Sequence, residues 1–217
     1  MRQAALRIHR LLPALPLLSA LLLPGPALHA KVPGGAPKAP LQAPFHRGEL
    51  LVAAPGMGDP RFREAVILLV RHDTTGAFGL VINKPLGEMR LAELLRRFQV
   101  GGKAKGEEKV LIHYGGPVQP ELGFVLHTAE GGFTPQQPLA PGYGISPFAD
   151  TLSAMGQGRR PKRALFILGY AGWGPGQLEG EMSRGAWETA PADEDILFDA
   201  DYDTKWERAM ERRTRTL

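Results

Sequence analysis

Between Leu50 and Leu168 the apolar residues of this chain come in runs of four to six, mostly bounded by glycine, proline or aspartate. Runs of that length are too short for amphipathic helices and suit buried strands. Strands are therefore expected at Leu50–Ala53, Ala65–Val70, Phe78–Ile82, Val110–Tyr114, Gly123–Leu126 and Ala164–Leu168. Helical spacing is rarer. Leu91–Phe98 carries apolar residues at 91, 94, 95 and 98, one face of a helix, with Arg96 and Arg97 turned outward. Gln177–Arg184 and Thr204–Arg213 also read as helices, with Leu178 and Met182 four apart and Trp206 and Met210 likewise, and Asp203 is placed to cap the last one. Six or more strands mixed with short helices, without strict β-α alternation, predict a single compact α+β domain over residues 45–212. A body of that size buries a substantial core.

The N-terminal part is of another kind. Residues 1–10 are basic and acid-free, Leu11–Leu23 is largely apolar, Pro24-Gly25-Pro26 breaks the run, and Ala30 supplies a small residue for cleavage. That order predicts a signal peptide over 1–30, with an apolar stretch too short to span a bilayer. A Pro-rich linker follows from Lys31 to Pro44. The expectation is export to the periplasm, with a cytoplasmic protein started near residue 41 as the alternative. No transmembrane segment is expected in the mature chain. Residues 1–44 hold five of the 26 basic residues and no acid, so the other 173 carry 21 basic and 22 acidic side chains, a net of −1. The body therefore has no electrostatic footprint for DNA or RNA, and direct nucleic-acid binding is argued against. With no cysteine, thiol nucleophiles, disulfides and cysteine-ligated zinc are excluded.

Established cofactor and catalytic patterns are missing: there is no GxxxxGK[ST], no GxGxxG after a strand, no HExxH and no GxSxG. No cofactor and no metal set is predicted. The glycines of Gly169-Tyr170-Ala171-Gly172-Trp173-Gly174-Pro175-Gly176 lie between a strand and a helix, where backbone N–H groups can hold phosphate. Glu179 and Glu181 at the start of that helix oppose an anion, and no Lys or Arg in the loop offsets them. The glycines are read instead as letting the helix pack close on the strand.

Six residues remain as ligand-binding candidates: His72, Asn83, His127, Trp173, Gln177 and Glu181. His72, His113 and His127 fall at or near strand ends, where imidazoles converge on clefts or are satisfied by backbone carbonyls. Asn83, in Asn83-Lys84-Pro85, either meets a substrate or bonds its own backbone. Trp173 and Trp187 offer apolar area and an indole donor each. Gln177, Glu181 and Arg184 share one helix face by spacing. Arg159–Arg163 reads as a solvated basic loop.

Several segments, taken in order, resemble the YqgE/AlgH family. They are Gly48–Pro55 (GELLVAAP), Asp59-Pro60-Arg61-Phe62, His72, Gly76–Pro85 (GAFGLVINKP), Gly115–Val118, Gly123–His127 (GFVLH), Gly169–Glu179 (GYAGWGPGQLE), Trp187, Pro191-Ala192-Asp193, Leu197-Phe198 and Trp206. The resemblance covers about residues 45–212. It implies a mixed, barrel-like sheet and no established reaction, and one branch of the family is linked to alginate regulation. The chain departs from the family pattern in its leader and in a short basic tail, 213–217. The functional expectation is a non-catalytic binding or regulatory module with a protein or small-molecule partner. The alternatives are a small-ligand protein or enzyme using a cleft near 169–181, and a transcriptional regulator by family association.

Overall fold

The computed structural model describes residues 47–102, 107–130 and 132–214. The expected signal peptide, the linker and residues 215–217 of the tail lie outside these residues. Among the described residues, no helix is long and apolar enough to cross a membrane.

The elements follow in the order β1 (Glu49–Ala53), β2 (Val66–Asp73), β3 (Gly76–Val81), β4 (Pro85–Arg90), α1 (Leu91–Arg97), β5 (Lys109–Tyr114), β6 (Val118–Thr128), β7 (Gln137–Ala140), β8 (Tyr143–Pro147), α2 (Phe148–Gly156), β9 (Ala164–Trp173), α3 (Gln177–Ser183), β10 (Trp187–Pro191), α4 (Glu194–Leu197) and α5 (Lys205–Glu211). The α+β class holds, and the sheet curls into a half-barrel with the order β10-β1-β2-β3-β9-β6-β8-β7. It is mixed: β5 runs parallel to β9 through Ile112–Tyr114 against Phe166–Leu168, while the other pairings are antiparallel.

The run of β2 is apolar without alternation because both of its faces are covered. Val66, Leu68 and Val70 point into the cluster that fills the curl, together with Leu80, Ile82, Leu126 and Ile167. Ile67 and Leu69 point the other way, to Ala171, Trp173, Leu178 and Trp187. A third cluster lies under α1 and α2, where Leu94 and Leu95 meet Val125, Phe148, Leu152 and Phe166. Strand β9 joins two lobes of the sheet, one of β10, β1, β2 and β3 and the other of β4 to β8: its first half pairs with β5 and β6, its last three residues with β3.

The six expected strands are present, several of them longer than their apolar runs, and so are the three expected helices. Strands β4, β7, β8 and β10 and helices α2 and α4 were not expected from the pattern. β4 is exposed along most of its length and β10 buries only Trp187 and Ala190, so neither requires an apolar run. The last helix is capped differently from expectation: Thr204, not Asp203, is its N-cap, and its side chain makes no capping hydrogen bond to the helix backbone.

Candidate functional site

The 169–176 corner and the helix after it form one wall of a cleft of about 410 Å³. Trp173 closes β9, Trp187 opens β10, and the two indoles meet edge to face at 5.9 Å. Both are buried, at 7% and 3% exposure. A buried indole N–H needs an acceptor, and Glu181 supplies it for both. Its Oε2 accepts the Nε1–H of Trp173 and that of Trp187, each at 2.8 Å. Its Oε1 accepts from Gln177 Nε2 at 2.9 Å, and Gln177 Oε1 in turn accepts the N–H of Gly174 at 3.1 Å. The spacing that puts residues 177 and 181 on one face of α3 thus closes a chain of hydrogen bonds back onto the corner. Arg184 is exposed and does not line the cleft.

The opposite wall is the loop Asp59–Glu64. Arg61 folds onto Asp59, with Nη2 2.6 Å from Oδ2, and these hydrogen bonds hold the Asp59 carboxyl below its ordinary pKa. Phe62 packs edge to face on Trp187 at 5.6 Å. The loop is held from beneath by Asn83-Lys84. Asn83 Oδ1 accepts the N–H of Val66 at 2.9 Å, and its Nδ2 donates to Glu64 O at 2.8 Å. Lys84 Nζ donates to Arg61 O and Arg63 O, at 3.2 and 2.9 Å. Burial lowers the Lys84 pKa. Asn83 therefore shapes the cleft through the loop and does not line it.

The remaining candidates lie elsewhere. The His72 side chain is buried, and its Nε2 is 2.9 Å from Glu179 Oε1, which ties β2 to α3. His127 is fully buried near the end of β6, edge to face with Phe133, and bonds Thr128 O and Ser146 Oγ. His113 bonds Phe166 O at 3.2 Å, its Nε2 has no protein partner, and burial pushes its pKa down to about 4. The structure thus brings Trp173, Gln177 and Glu181 together, with His72 tied to the same helix and Asn83 behind the facing loop. Among the described residues no cluster of three His, Asp or Glu side chains is placed to hold a metal ion.

The glycines of the corner act otherwise than the sequence suggests. None is needed for α3 to approach the strand: a Cβ on Gly174 or Gly176 would meet no atom closer than 4 Å. Gly176 is required for its φ of +73° just before α3, and Gly169 because a Cβ there would stand 2.5 Å from Gly116 O. The close approach is strand to loop, between β9 and Gly115-Gly116. Arg159–Arg163 is a solvated loop whose charges pair locally, Arg160 with Glu108, Lys162 with Glu130 and Arg163 with Glu194.

Asp59, Arg61, Phe62 and Trp187 complete the cleft without having been candidates. No periodicity marks them; only their membership in the short matching segments could have. A second, more open hollow of about 520 Å³ adjoins through Gly172 and Trp173, lined by Arg71, Phe78, Phe124 and Tyr170.

Comparison with known proteins gives a consistent result. A family model described as AlgH-like matches residues 50–216. A UPF0301 protein of Caulobacter vibrioides is 42% identical over 168 residues, 76% of this chain and 86% of its own length. A UPF0301 protein of Ruegeria pomeroyi is 40% identical over 164 residues, covering 75% of this chain and 89% of that one. The solution structure of the AlgH protein from Pseudomonas aeruginosa is similar with a TM-score of 0.65 at 40% identity, over 78% of this chain and 90% of that one. A crystal structure of a Corynebacterium diphtheriae protein shares the fold, with a TM-score of 0.61 at 22% identity over 78% of this chain and 88% of that one.

Proposed function

The chain belongs to the AlgH-like family, and from that premise we propose that it is a binding or regulatory module whose partner docks in the Trp173–Glu181 cleft, a non-catalytic site. The observation that carries this reading is the commitment of Glu181 to internal donors. A carboxylate has about four lone-pair directions, and donors from this chain occupy three of them. The cleft's other acid, Asp59, is held by Arg61. Both acids of the cleft are thus committed to shape, which gives a proton-transfer role less support. What the cleft offers a visitor is rigid apolar surface from Met57, Phe62 and Trp173, with a polar rim at Asp59 and Arg61. Preorganised surface of that composition suits recognition of a small molecule or a short extended peptide.

The three tryptophans provide the test. Trp206 donates its indole N–H to Ala53 O at 2.8 Å, outside the cleft lining, so its resonance is an internal control. A cleft ligand shifts the indole N–H signals of Trp173 and Trp187 and leaves that of Trp206 unmoved. Trp173→Phe abolishes the response without unfolding. If no fragment or peptide from a broad screen moves the first two signals, the reading fails. Export is part of the same proposal, supported by the order of residues 1–30. The N-terminal residue of the mature protein, by mass spectrometry of separated cell fractions, tests it.

A further inference from the structure

We propose that Ser146 is an acyl-accepting nucleophile activated by His127, at a site separate from the Trp173–Glu181 cleft and independent of its function. The pairing arises from sheet register. Val125 lies opposite Ser146 and His127 opposite Gly144 across β6 and β8, so residues 127 and 146 are diagonal neighbours on one face of the sheet. His127 Nε2 and Ser146 Oγ are 2.9 Å apart.

The proton positions follow from the partners. His127 Nδ1 is 3.0 Å from Thr128 O, and a carbonyl only accepts, so Nδ1 carries the hydrogen. Nε2 of the neutral ring is then the acceptor, and the Ser146 hydroxyl donates to it. Burial favours that neutral ring, lowering the His127 pKa. Ser146 Oγ also accepts the N–H of Gln136 at 3.2 Å. That N–H holds the oxygen in place while its proton points at the base. Gly144 makes the arrangement compatible with the fold, since a Cβ there would lie 2.4 Å from Gln137 O.

A nucleophile joined to a base, with the base oriented by a third group, is the arrangement of acyl-transfer sites. Here a backbone carbonyl fills the third role. Ser146 also has somewhere to meet a substrate. It lines two hollows that share Gln136 as a wall, of about 300 and 290 Å³. The first is bordered by Thr134, Asp150, Thr151 and Arg159. That volume fits a small acyl ester or thioester.

In the step proposed, Oγ bonds to the acyl carbon as its proton passes to His127 Nε2. The bond to the alcohol or thiol breaks, and that leaving group takes the proton back from the imidazolium. Water then attacks the acyl-serine through the same base, so ester and water yield acid and alcohol with the enzyme restored.

The test uses the full chain with p-nitrophenyl acetate, followed by intact mass and peptide mapping, and a fluorophosphonate reagent as the irreversible equivalent. The expected result is one label on Ser146, with far slower modification of Ser153 and Ser183 in the same folded molecule. Ser146→Ala removes the label, and His127→Gln slows it by about 10²-fold or more, the usual contribution of a general base. Labelling no faster than at Ser153 and Ser183, or a rate unchanged in His127→Gln, overturns the proposal. Should His127→Gln fail to fold, the comparison of serines within the wild-type chain decides alone, with the urea-unfolded chain expected to lose the preference for Ser146.

Discussion

Trp173 donates its indole N–H to Glu181 across 2.8 Å, fastening the last residue of β9 to the middle of α3. The same carboxylate oxygen takes the indole of Trp187. Replacing Glu181 with alanine leaves two buried N–H groups without an acceptor. At roughly 1–3 kcal/mol for each orphaned group, the loss of stability is about 3 kcal/mol. Glu181→Gln keeps one oxygen facing the indoles and loses less, about 1 kcal/mol. Urea unfolding followed by tryptophan fluorescence measures both, and equal losses in the two variants would contradict the shared-acceptor account.

Asn83 secures the Asp59–Glu64 loop by one donated and one accepted bond. Asn83→Ala leaves the N–H of Val66 without its partner at the start of a buried strand, at a cost of about 2 kcal/mol. The loop also carries Arg61 and Phe62 into the cleft, so the variant broadens the indole signal of Trp187 while that of Trp206 stays sharp. Heteronuclear NMR reads both.

Acid weakens the fold through its buried histidines. His113 titrates at about 4 when folded, against 6.5 for a free imidazole. Between these values the unfolded chain binds a proton that the folded chain refuses, so stability is full above pH 6.5 and falls as the pH drops to 4. The loss reaches about 3 kcal/mol at pH 4. The lowered His127 pKa adds in the same direction. His113→Asn, which keeps a donor near Phe166 O, flattens the slope. Urea midpoints at a series of pH values give the comparison.

Two glycine substitutions separate close approach from composition. A Cβ on Gly116 would stand 2.1 Å from the carbonyl carbon of Tyr170, and its φ is +148°. Gly116→Ala therefore costs more than about 3 kcal/mol, or prevents folding. Gly174→Ala, in the corner itself, meets only the end of Gln177 at 4.0 Å and stays within about 0.5 kcal/mol of the parent. Thermal melts distinguish the two.

The interior of this fold was legible in the sequence and its margins were not. β2 announces itself because both faces are buried, whereas β4 faces solvent over most of its length. Solvent sets no apolar pattern, so an edge strand is fixed by its neighbour's hydrogen bonds and its sequence is free. Helix α2 is a different case, because Phe148, Thr151, Leu152 and Met155 are buried on one face at the spacing of a helix. That signal was present, though threonine in place of a hydrocarbon weakens it. The grouping of Trp173, Gln177 and Glu181 follows from helix spacing alone. Asp59, Arg61 and Phe62 reach the cleft by long-range loop placement, which local pattern does not encode. The pairing of His127 with Ser146 depends on strand register, and β8 was itself unmarked.

Strand β9 hydrogen-bonds to β5 and β6 along its first half and to β3 at its end. Neither lobe can melt while the other stays whole, because both would have to surrender the same backbone. Amide hydrogens at Leu165–Ile167 and at Gly172–Trp173 should therefore exchange with deuterium at one common, slowest rate, the signature of a single cooperative unit.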